Sequence, residues 1–129
     1  MCGRFYIATE DAALEIRALL NELYKREAEN KPKQGEVFPT ENALVIANNR
    51  NLESRPFVMR WGFAAQDGKR TIINARSETV KDKPMFRDSF ARRRLLVPST
   101  GYFEWEKRGS EKIKYLISAP GGITYMAGL

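Results

Sequence analysis

The sequence contains no histidine and only one cysteine. Without histidine the chain lacks the commonest general base and metal ligand at neutral pH, so a Ser-His-Asp triad within it is excluded. One cysteine also excludes an internal disulfide and a cysteine-rich zinc site. No apolar run approaches the ~20 residues that a membrane-spanning helix requires, and the opening residues do not form a signal peptide. We therefore expect a monomeric cytoplasmic protein without a metal, a cofactor or a membrane anchor.

Basic residues are concentrated in the middle of the 129-residue chain, whose formal net charge is +6. Residues 50–94 contain 12 Lys and Arg against five Asp and Glu, whereas the remainder contains ten against 11. A basic segment on a neutral frame indicates a polyanionic partner such as a nucleic acid. A solvated surface accounts for the same pattern equally well. The length fits a single domain over residues 1–129.

Hydrophobic periodicity predicts a mixed α+β fold. A helix that begins after a Thr9 N-cap, with Glu10 and Asp11 in its first turn, carries apolar residues at helical spacing through Tyr24. A second short helix is predicted over 85–93. Residues 30–39 form a polar connection. Strands are predicted over 3–8, 43–47, 55–61, 71–74, 95–98, 102–107, 113–118 and 123–127. Because the last three strands are close in sequence, we expect them to form a β-meander. The apolar segment 125–129 ends without polar residues, so we expect a truncated protein.

Cys2 has a distinctive chemistry if Met1 is removed. Its free α-amino group titrates near ~7.7–8.0 and is partly nucleophilic at neutral pH, so it can condense with an aldehyde to a Schiff base. The thiol on the neighbouring carbon can then close on the imine carbon and form a thiazolidine, with the advantage of an intramolecular reaction. The alternative is that Cys2 is an ordinary residue near a frayed terminus, and its position alone favours that alternative.

Glu104 lies between aromatic residues in the segment Tyr102-Phe103-Glu104-Trp105-Glu106. Alternate residues of a strand face opposite sides, so Phe103 and Trp105 are predicted to share the core face while Glu104 projects from the other. A partly desolvated carboxylate at this position would have a raised pKa suited to acid–base catalysis. A surface glutamate in an antiparallel strand is the alternative.

Two other segments carry candidate site residues. Asn74 and Arg76 follow a predicted strand, where Asn74 could hydrogen-bond a thiol or an aldehyde oxygen and Arg76 could hold a phosphate. A turn held by Asn74 with an Arg76–Glu78 surface pair is equally compatible. Trp61 precedes a glycine and could stack on a base, although a buried core position is the commoner fate of such a ring. The basic run 92–94 could contact phosphate or form a solvated helix end.

Four motifs in this order resemble the SOS response-associated peptidase (SRAP) family along the whole chain. They are Met1-Cys2-Gly3-Arg4-Phe5, Arg60-Trp61-Gly62, Ile73-Asn74-Ala75-Arg76-Ser77-Glu78-Thr79 and Pro98-Ser99-Thr100-Gly101-Tyr102-Phe103-Glu104-Trp105. The resemblance implies an α+β fold with a barrel-like antiparallel β core and flanking helices. It also implies a positively charged groove that binds abasic sites in single-stranded DNA.

The resemblance further implies a role for each candidate residue. Cys2 would form a thiazolidine crosslink with the ring-opened abasic sugar, after an autoprocessing step exposes it. Glu104 would assist ring opening, Schiff-base chemistry and lyase-like reversal. Asn74 would orient Cys2 or the sugar, and Arg4 and Arg76 would bind flanking phosphates. Such a protein would act in the DNA damage response at the bacterial nucleoid.

The chain departs from the family at two places. The family has a further catalytic histidine downstream of the last motif, and this chain has none, so we expect ring opening and release to be impaired. The segment Glu36-Val37-Phe38-Pro39-Thr40 replaces the usual Asn-x-Ala-Pro pattern and keeps only Pro39. Two alternatives remain open: a cysteine peptidase that uses Cys2, which the missing histidine disfavours, and a module that binds single-stranded DNA without covalent attachment.

Overall fold

The computed structural model describes residues 2–8 and 14–129. Within them the structure contains two helices and ten strands, so the predicted mixed α+β class is confirmed. In chain order the elements are β1 (Phe5–Ile7), α1 (Leu14–Arg26), β2 (Gly35–Val37), β3 (Asn42–Asn48), β4 (Ser54–Arg60), β5 (Phe63–Ala64), β6 (Thr71–Ile72), α2 (Pro84–Arg92), β7 (Leu95–Ser99), β8 (Gly101–Arg108), β9 (Glu111–Ile117) and β10 (Thr124–Gly128).

Antiparallel pairing sorts the described strands into two four-stranded sheets and one two-stranded ribbon. The first sheet has the order β2-β1-β8-β9, the second has the order β10-β7-β3-β4, and β5 pairs with β6. Both larger sheets are open within the described part of the chain. The barrel-like core predicted from the sequence therefore takes the form of two sheets joined by a nearly continuous strand.

Thr100 is the residue at which the chain passes from the second sheet to the first. It lies between β7 and β8, and its hydroxyl accepts a hydrogen bond from the Ala8 backbone N–H at 2.9 Å and donates one to the Tyr6 carbonyl at 3.0 Å. Its own backbone N–H also donates to the Tyr6 carbonyl at 2.8 Å. These bonds fix the end of β1 at the junction of the two sheets.

The last strand does not pair as the sequence predicted. β8 and β9 form a hairpin, but β10 leaves the first sheet and pairs with β7 in the second, so the predicted three-strand meander is wrong. Two glycines in the intervening turn have positive φ angles, 95° at Gly121 and 80° at Gly122, which let the chain change direction. Beside β7, Met126 lies opposite Val97, so β10 buries an apolar face there.

The main hydrophobic core packs α1 against both sheets. Ile16, Leu20 and Leu23 recur on one face of α1 and are buried, as the helical spacing predicted. The predicted N-cap and first turn, residues 9–11, lie outside the described residues. The buried members of the core are Phe5, Ile7, Ile16, Leu20, Leu23, Val37, Ala43, Leu44 and Val45.

The short strand β1 is held from both sides. Phe5 lies opposite Val37 of β2 and also opposite Tyr102 of β8. Sequence analysis missed β2, which lies inside the segment 30–39 that was predicted to be a polar connection. A three-residue strand has too little alternation to stand out, and it forms here because β1 offers it a partner edge.

Phe103 and Trp105 lie on one face of β8, as predicted, but that face is not uniformly core. Phe103 is buried, whereas Trp105 is 38% exposed, so the prediction that both rings face the core is wrong for Trp105. The two ring centroids are 6.5 Å apart. Glu104 lies on the opposite face of β8. It shares that face with Tyr102, the residue opposite Phe5 of β1.

Helix α2 contains an acidic residue that pairs with two arginines of the basic run 92–94. Pro84 occupies the first turn, where its missing N–H is not needed, and Phe86 is buried beneath the helix. The carboxylate of Asp88 forms ion pairs with Arg92 and Arg93. Arg92 and Arg93 are thus paired at an exposed helix end, and contact of the run 92–94 with phosphate stays a prediction.

Candidate active site at Cys2

Cys2 lies three residues before Phe5, the first residue of β1, and the chain bends between them at Gly3. The backbone N–H of Phe103 donates to the Arg4 carbonyl at 2.9 Å, which extends the pairing of β1 with β8 toward the amino end. The Cys2 thiol is half-buried and donates to the same Arg4 carbonyl at 3.1 Å. The nucleophile predicted from the sequence is thus attached to a paired strand rather than to a free tail.

Burial raises the pKa of the Cys2 thiol above its ordinary value, and the nearby charge of Glu104 raises it further. The thiol therefore stays protonated at neutral pH. A peptidase nucleophile requires the opposite shift, toward the thiolate. The direction of this shift lends no support to the cysteine-peptidase alternative raised by the sequence.

Asn74 contacts Cys2, which lies 72 residues earlier in the sequence. Its side-chain Nδ2 donates to the Cys2 carbonyl at 3.0 Å. Asn74 lies two residues after β6, the strand that pairs with β5. The side chain is exposed, so its amide remains accessible to a ligand as well. The two residues that the sequence singled out separately are therefore in direct contact.

Glu104 belongs to the same site. In β8 it lies two residues beyond Tyr102, the partner of Phe5, which puts it beside the segment that precedes β1. Its charge acts on the Cys2 thiol, and the side chain is partly buried. Across the hairpin it faces Tyr115 of β9. A carboxylate in this position can exchange protons with groups bound at Cys2.

Arg4 points to the opposite face of the first sheet and is held by a carboxylate and two rings. Its Nη1 donates to Glu36 Oε1 at 3.1 Å, and its guanidinium carbon lies 4.6 Å from the Phe38 ring centroid and 5.1 Å from the Trp105 ring centroid. The same Glu36 oxygen accepts a hydrogen bond from Lys114 Nζ at 2.7 Å. The predicted phosphate ligand Arg4 therefore already has an anionic partner.

Arg76 is exposed two residues after Asn74. Its backbone carbonyl accepts hydrogen bonds from the N–H groups of Thr79 and Val80, which begins the turn that follows. Residues 2–8 and 14–129 show no ion pair between Arg76 and Glu78. The guanidinium is therefore available to an anion near the Asn74 end of the site.

Trp61 is partly buried between the core and a cavity. Its ring centroid lies 5.3 Å from that of Phe5, and its Nε1 donates to the Ile73 carbonyl at 3.3 Å. The following Gly62 has a φ of 112°, and a Cβ there would lie 2.3 Å from a Thr71 methyl group, so only glycine fits. This turn fixes the ring at the edge of the site, where a stacking role for Trp61 stays a prediction.

A mostly apolar cavity of about 420 Å³ opens beside Cys2. Trp61 and Asn74 contribute to its wall, and most of the other lining side chains come from strands β3 to β7 and β10. Its size is within the range of small-molecule sites. The cavity gives the candidate site a mostly apolar wall on one side of Cys2.

Sequence analysis missed Glu36 and Lys114. Glu36 lies in the unpredicted strand β2, and Lys114 is one of two lysines in the mostly exposed strand β9, so neither had a distinguishing local pattern. The departure of 36–40 from the family motif was the one available signal. Among residues 2–8 and 14–129, no three His, Cys, Asp or Glu side chains cluster as metal ligands would. Neither described helix combines the length and apolarity needed to cross a bilayer.

Known proteins with similar sequences share one description. "Abasic site processing protein YoqW" of Bacillus subtilis is 33% identical over 112 residues, which cover 83% of this chain and 49% of that protein. "Abasic site processing protein YedK" of Escherichia coli is 31% identical over 135 residues, which cover all of this chain and 59% of that protein. The chain thus spans about half the length of the curated relatives it matches.

Solved structures agree with the fold. A protein from Bacteroides thetaiotaomicron is 26% identical, with a TM-score of 0.73 over 98% of this chain and 58% of its own. A phage-related protein from Bordetella bronchiseptica, at 22% identity, gives a TM-score of 0.74 over 99% of this chain and 60% of its own. The family model for SOS response associated peptidase (SRAP) matches residues 1–129. With that match, the four motifs and the shared fold, the chain belongs to the SRAP family.

Proposed function

We propose that the chain processes abasic sites in DNA by capturing them covalently through Cys2. The hydrogen bond from Asn74 to the Cys2 carbonyl is the observation that carries the proposal, because it brings two of the predicted residues into one site. The names of the YoqW and YedK relatives support abasic-site processing as the general activity. The substrate is single-stranded DNA that contains a ring-opened abasic sugar, bound to one copy of the protein at the bacterial nucleoid.

The covalent step requires Cys2 as the amino-terminal residue, so the Met1–Cys2 peptide bond is hydrolysed first, in an autoprocessing step that consumes one water and releases methionine. The Cys2 amine attacks the sugar aldehyde carbon, and loss of one water leaves an imine. The thiol sulfur then adds to the imine carbon, and its proton ends on the nitrogen, which closes a five-membered thiazolidine. No oxidant or reductant is consumed. This order needs no thiolate at the start, because the amine reacts first and the thiol delivers its own proton.

Each neighbouring group has a task in this scheme. Glu104 acts as the acid–base group that transfers protons during imine formation and its lyase-like reversal. Asn74 is a positioning residue that orients Cys2 through its carbonyl. Arg4 and Arg76 bind the flanking phosphates, and Trp61 lies where a base next to the abasic site could stack.

A denaturing gel with an abasic single-stranded oligonucleotide tests the proposal. Protein whose mature Cys2 terminus has been verified by mass spectrometry is expected to give a shifted, denaturant-resistant band, and an intact oligonucleotide of the same sequence is expected to give none. Cys2→Ala should abolish the band, and Cys2→Ser should give only a reversible imine that borohydride traps. Absence of a crosslink with folded, verified protein would contradict the proposal, as would equal affinity for intact and abasic strands without any adduct.

A further inference from the structure

Two cations, Arg4 just before β1 and Lys114 in β9, converge on a single oxygen atom of Glu36. Arg4 Nη1 lies 3.1 Å and Lys114 Nζ 2.7 Å from Glu36 Oε1. The three side chains are 37%, 38% and 26% exposed in the order Arg4, Lys114, Glu36, so solvent and ligands reach the cluster. Two donors of different types on one oxygen are a common arrangement for binding a phosphate oxygen.

Aromatic rings hold both cations in place independently of the carboxylate. Arg4 lies against the rings of Phe38 and Trp105, as described above, and Lys114 Nζ lies 4.0 Å from the Phe103 ring centroid and 5.8 Å from that of Trp105. Cation–π attraction acts between the ring and the cation, and it does not depend on which anion the cation also binds. If the Glu36 side chain rotates away, the two cations remain in position to receive another anion.

Glu36 is a charged occupant of this site at neutral pH. The hydrogen bond from Lys114 is the main cause that holds its pKa below the ordinary glutamate value, and the bond from Arg4 contributes. One carboxylate against two cations leaves a net positive charge. A phosphate diester carries the same single negative charge as Glu36 and has two free oxygens to offer.

We propose that Arg4 and Lys114 form a phosphate subsite for single-stranded DNA and that Glu36 occupies it until a backbone phosphate displaces the carboxylate. The inference rests on the proposed function for the identity of the ligand, and it adds Lys114 as a DNA contact and Glu36 as a competitor that weakens binding. The exposed face of Trp105 beside the subsite offers a surface on which a base can stack. Binding is therefore an exchange of one anion for another.

The test measures binding of a fluorescently labelled, intact oligothymidylate by anisotropy over a series of salt concentrations. Glu36→Gln removes the competing charge and keeps the shape, so affinity at low salt is expected to rise about 3- to 10-fold. Lys114→Gln is expected to weaken binding and to reduce the magnitude of the slope of log K against log salt by about 0.7, the value for one phosphate contact in a single strand. Lys114→Arg is expected to restore that slope.

Glu53 and Lys31 provide matched controls. Glu53 is another glutamate whose pKa is lowered by a hydrogen bond and an ion pair, with Asn49 and Arg55, and it lies at the β3–β4 turn. Lys31 also contacts a ring, that of Tyr24, with its Nζ 5.7 Å from the centroid. Glu53→Gln and Lys31→Gln change the net charge by the same amounts as the two test variants. We expect both to stay within about 2-fold of the parent affinity, since surface charges distant from the ligand are screened.

The outcomes separate this inference from the proposed function. If Glu36→Gln matches Glu53→Gln or weakens binding, or if Lys114→Gln leaves the slope unchanged, the subsite is refuted even though Cys2 still forms its crosslink. If the anisotropy series behaves as expected while the abasic oligonucleotide gives no crosslink, the covalent function fails and the phosphate subsite stands. Thermal unfolding of each variant verifies that the comparison is made between folded proteins.

Discussion

Removing the Asn74 side chain isolates its contribution to positioning Cys2. Asn74→Ala deletes the 3.0 Å hydrogen bond from Nδ2 to the Cys2 carbonyl and shortens one side chain of the cavity wall. Such a bond contributes about 0.5–1.5 kcal/mol net. If all of this free energy holds Cys2 in its reactive position, the crosslinking rate constant falls by about 2- to 13-fold. The measurement is single-turnover crosslinking of an abasic oligonucleotide at saturating protein, resolved on a denaturing gel.

Asn42 offers a matched control for this experiment. Its Nδ2 also donates an exposed side-chain hydrogen bond of 3.0 Å, to Asn30 Oδ1, but on β3 and without contact to Cys2. Both alanine variants are expected to lose comparable stability, about 1 kcal/mol or a Tm decrease of about 4 °C. Only Asn74→Ala should slow crosslinking. A wild-type rate for Asn74→Ala, or an equal slowing in Asn42→Ala, would refute the assignment of Asn74 as a positioning residue.

Two further predictions concern the thiol and the turn beside it. Glu104→Gln removes a charge that raises the pKa of the Cys2 thiol, so alkylation of the thiol by iodoacetamide at a pH of about 8 should become faster. Crosslinking should become slower, because the acid–base group is lost. Mass spectrometry measures the alkylation and the gel assay measures the crosslinking, and a parallel change in both rates would contradict the acid–base role. Gly62→Ala should lower the free energy of unfolding by about 3 kcal/mol, because it adds a clash to a strained φ. Gly109→Ala, where φ is 63° and no atom lies within 4 Å of the new Cβ, should lower it by only about 1–2 kcal/mol in the same urea titration.

The elements with long periodic patterns could be predicted from the sequence, and their partners could not. The apolar face of α1 and the strands β3, β4, β8 and β9 agree with their hydrophobic spacing. The same alternation says which side chains share a face, but it does not say which sheet a strand joins. β10 therefore matched its predicted position and still paired with β7 rather than β9.

The candidate site was predictable as a set of residues but not as a geometry. Cys2, Asn74 and Glu104 came from motif order. The structure brings Glu104 toward Cys2 through the pairing of β1 with β8, and Asn74 through its side-chain hydrogen bond. The environment of Trp105 could not be predicted, because Arg4, which packs against the ring, is about 100 residues away in the sequence. The sequence showed Glu36 as a departure from the family motif. Its hydrogen bond with Lys114 could not be predicted without the strand order of the first sheet.

Because β1 is paired on both edges, the length of the short segment before it determines where the reactive group of Cys2 lies. Because β2 and β8 fix Phe5 in one register, Cys2 cannot slide along the sheet to compensate for a change in spacing. Only Gly3 and Arg4 lie between Cys2 and Phe5, so an inserted residue would change the distance and direction from the fixed strand to the thiol. It would also change the position of the Cys2 carbonyl relative to the Asn74 amide that binds it. The segment length is thus as much a determinant of the chemistry as the cysteine itself.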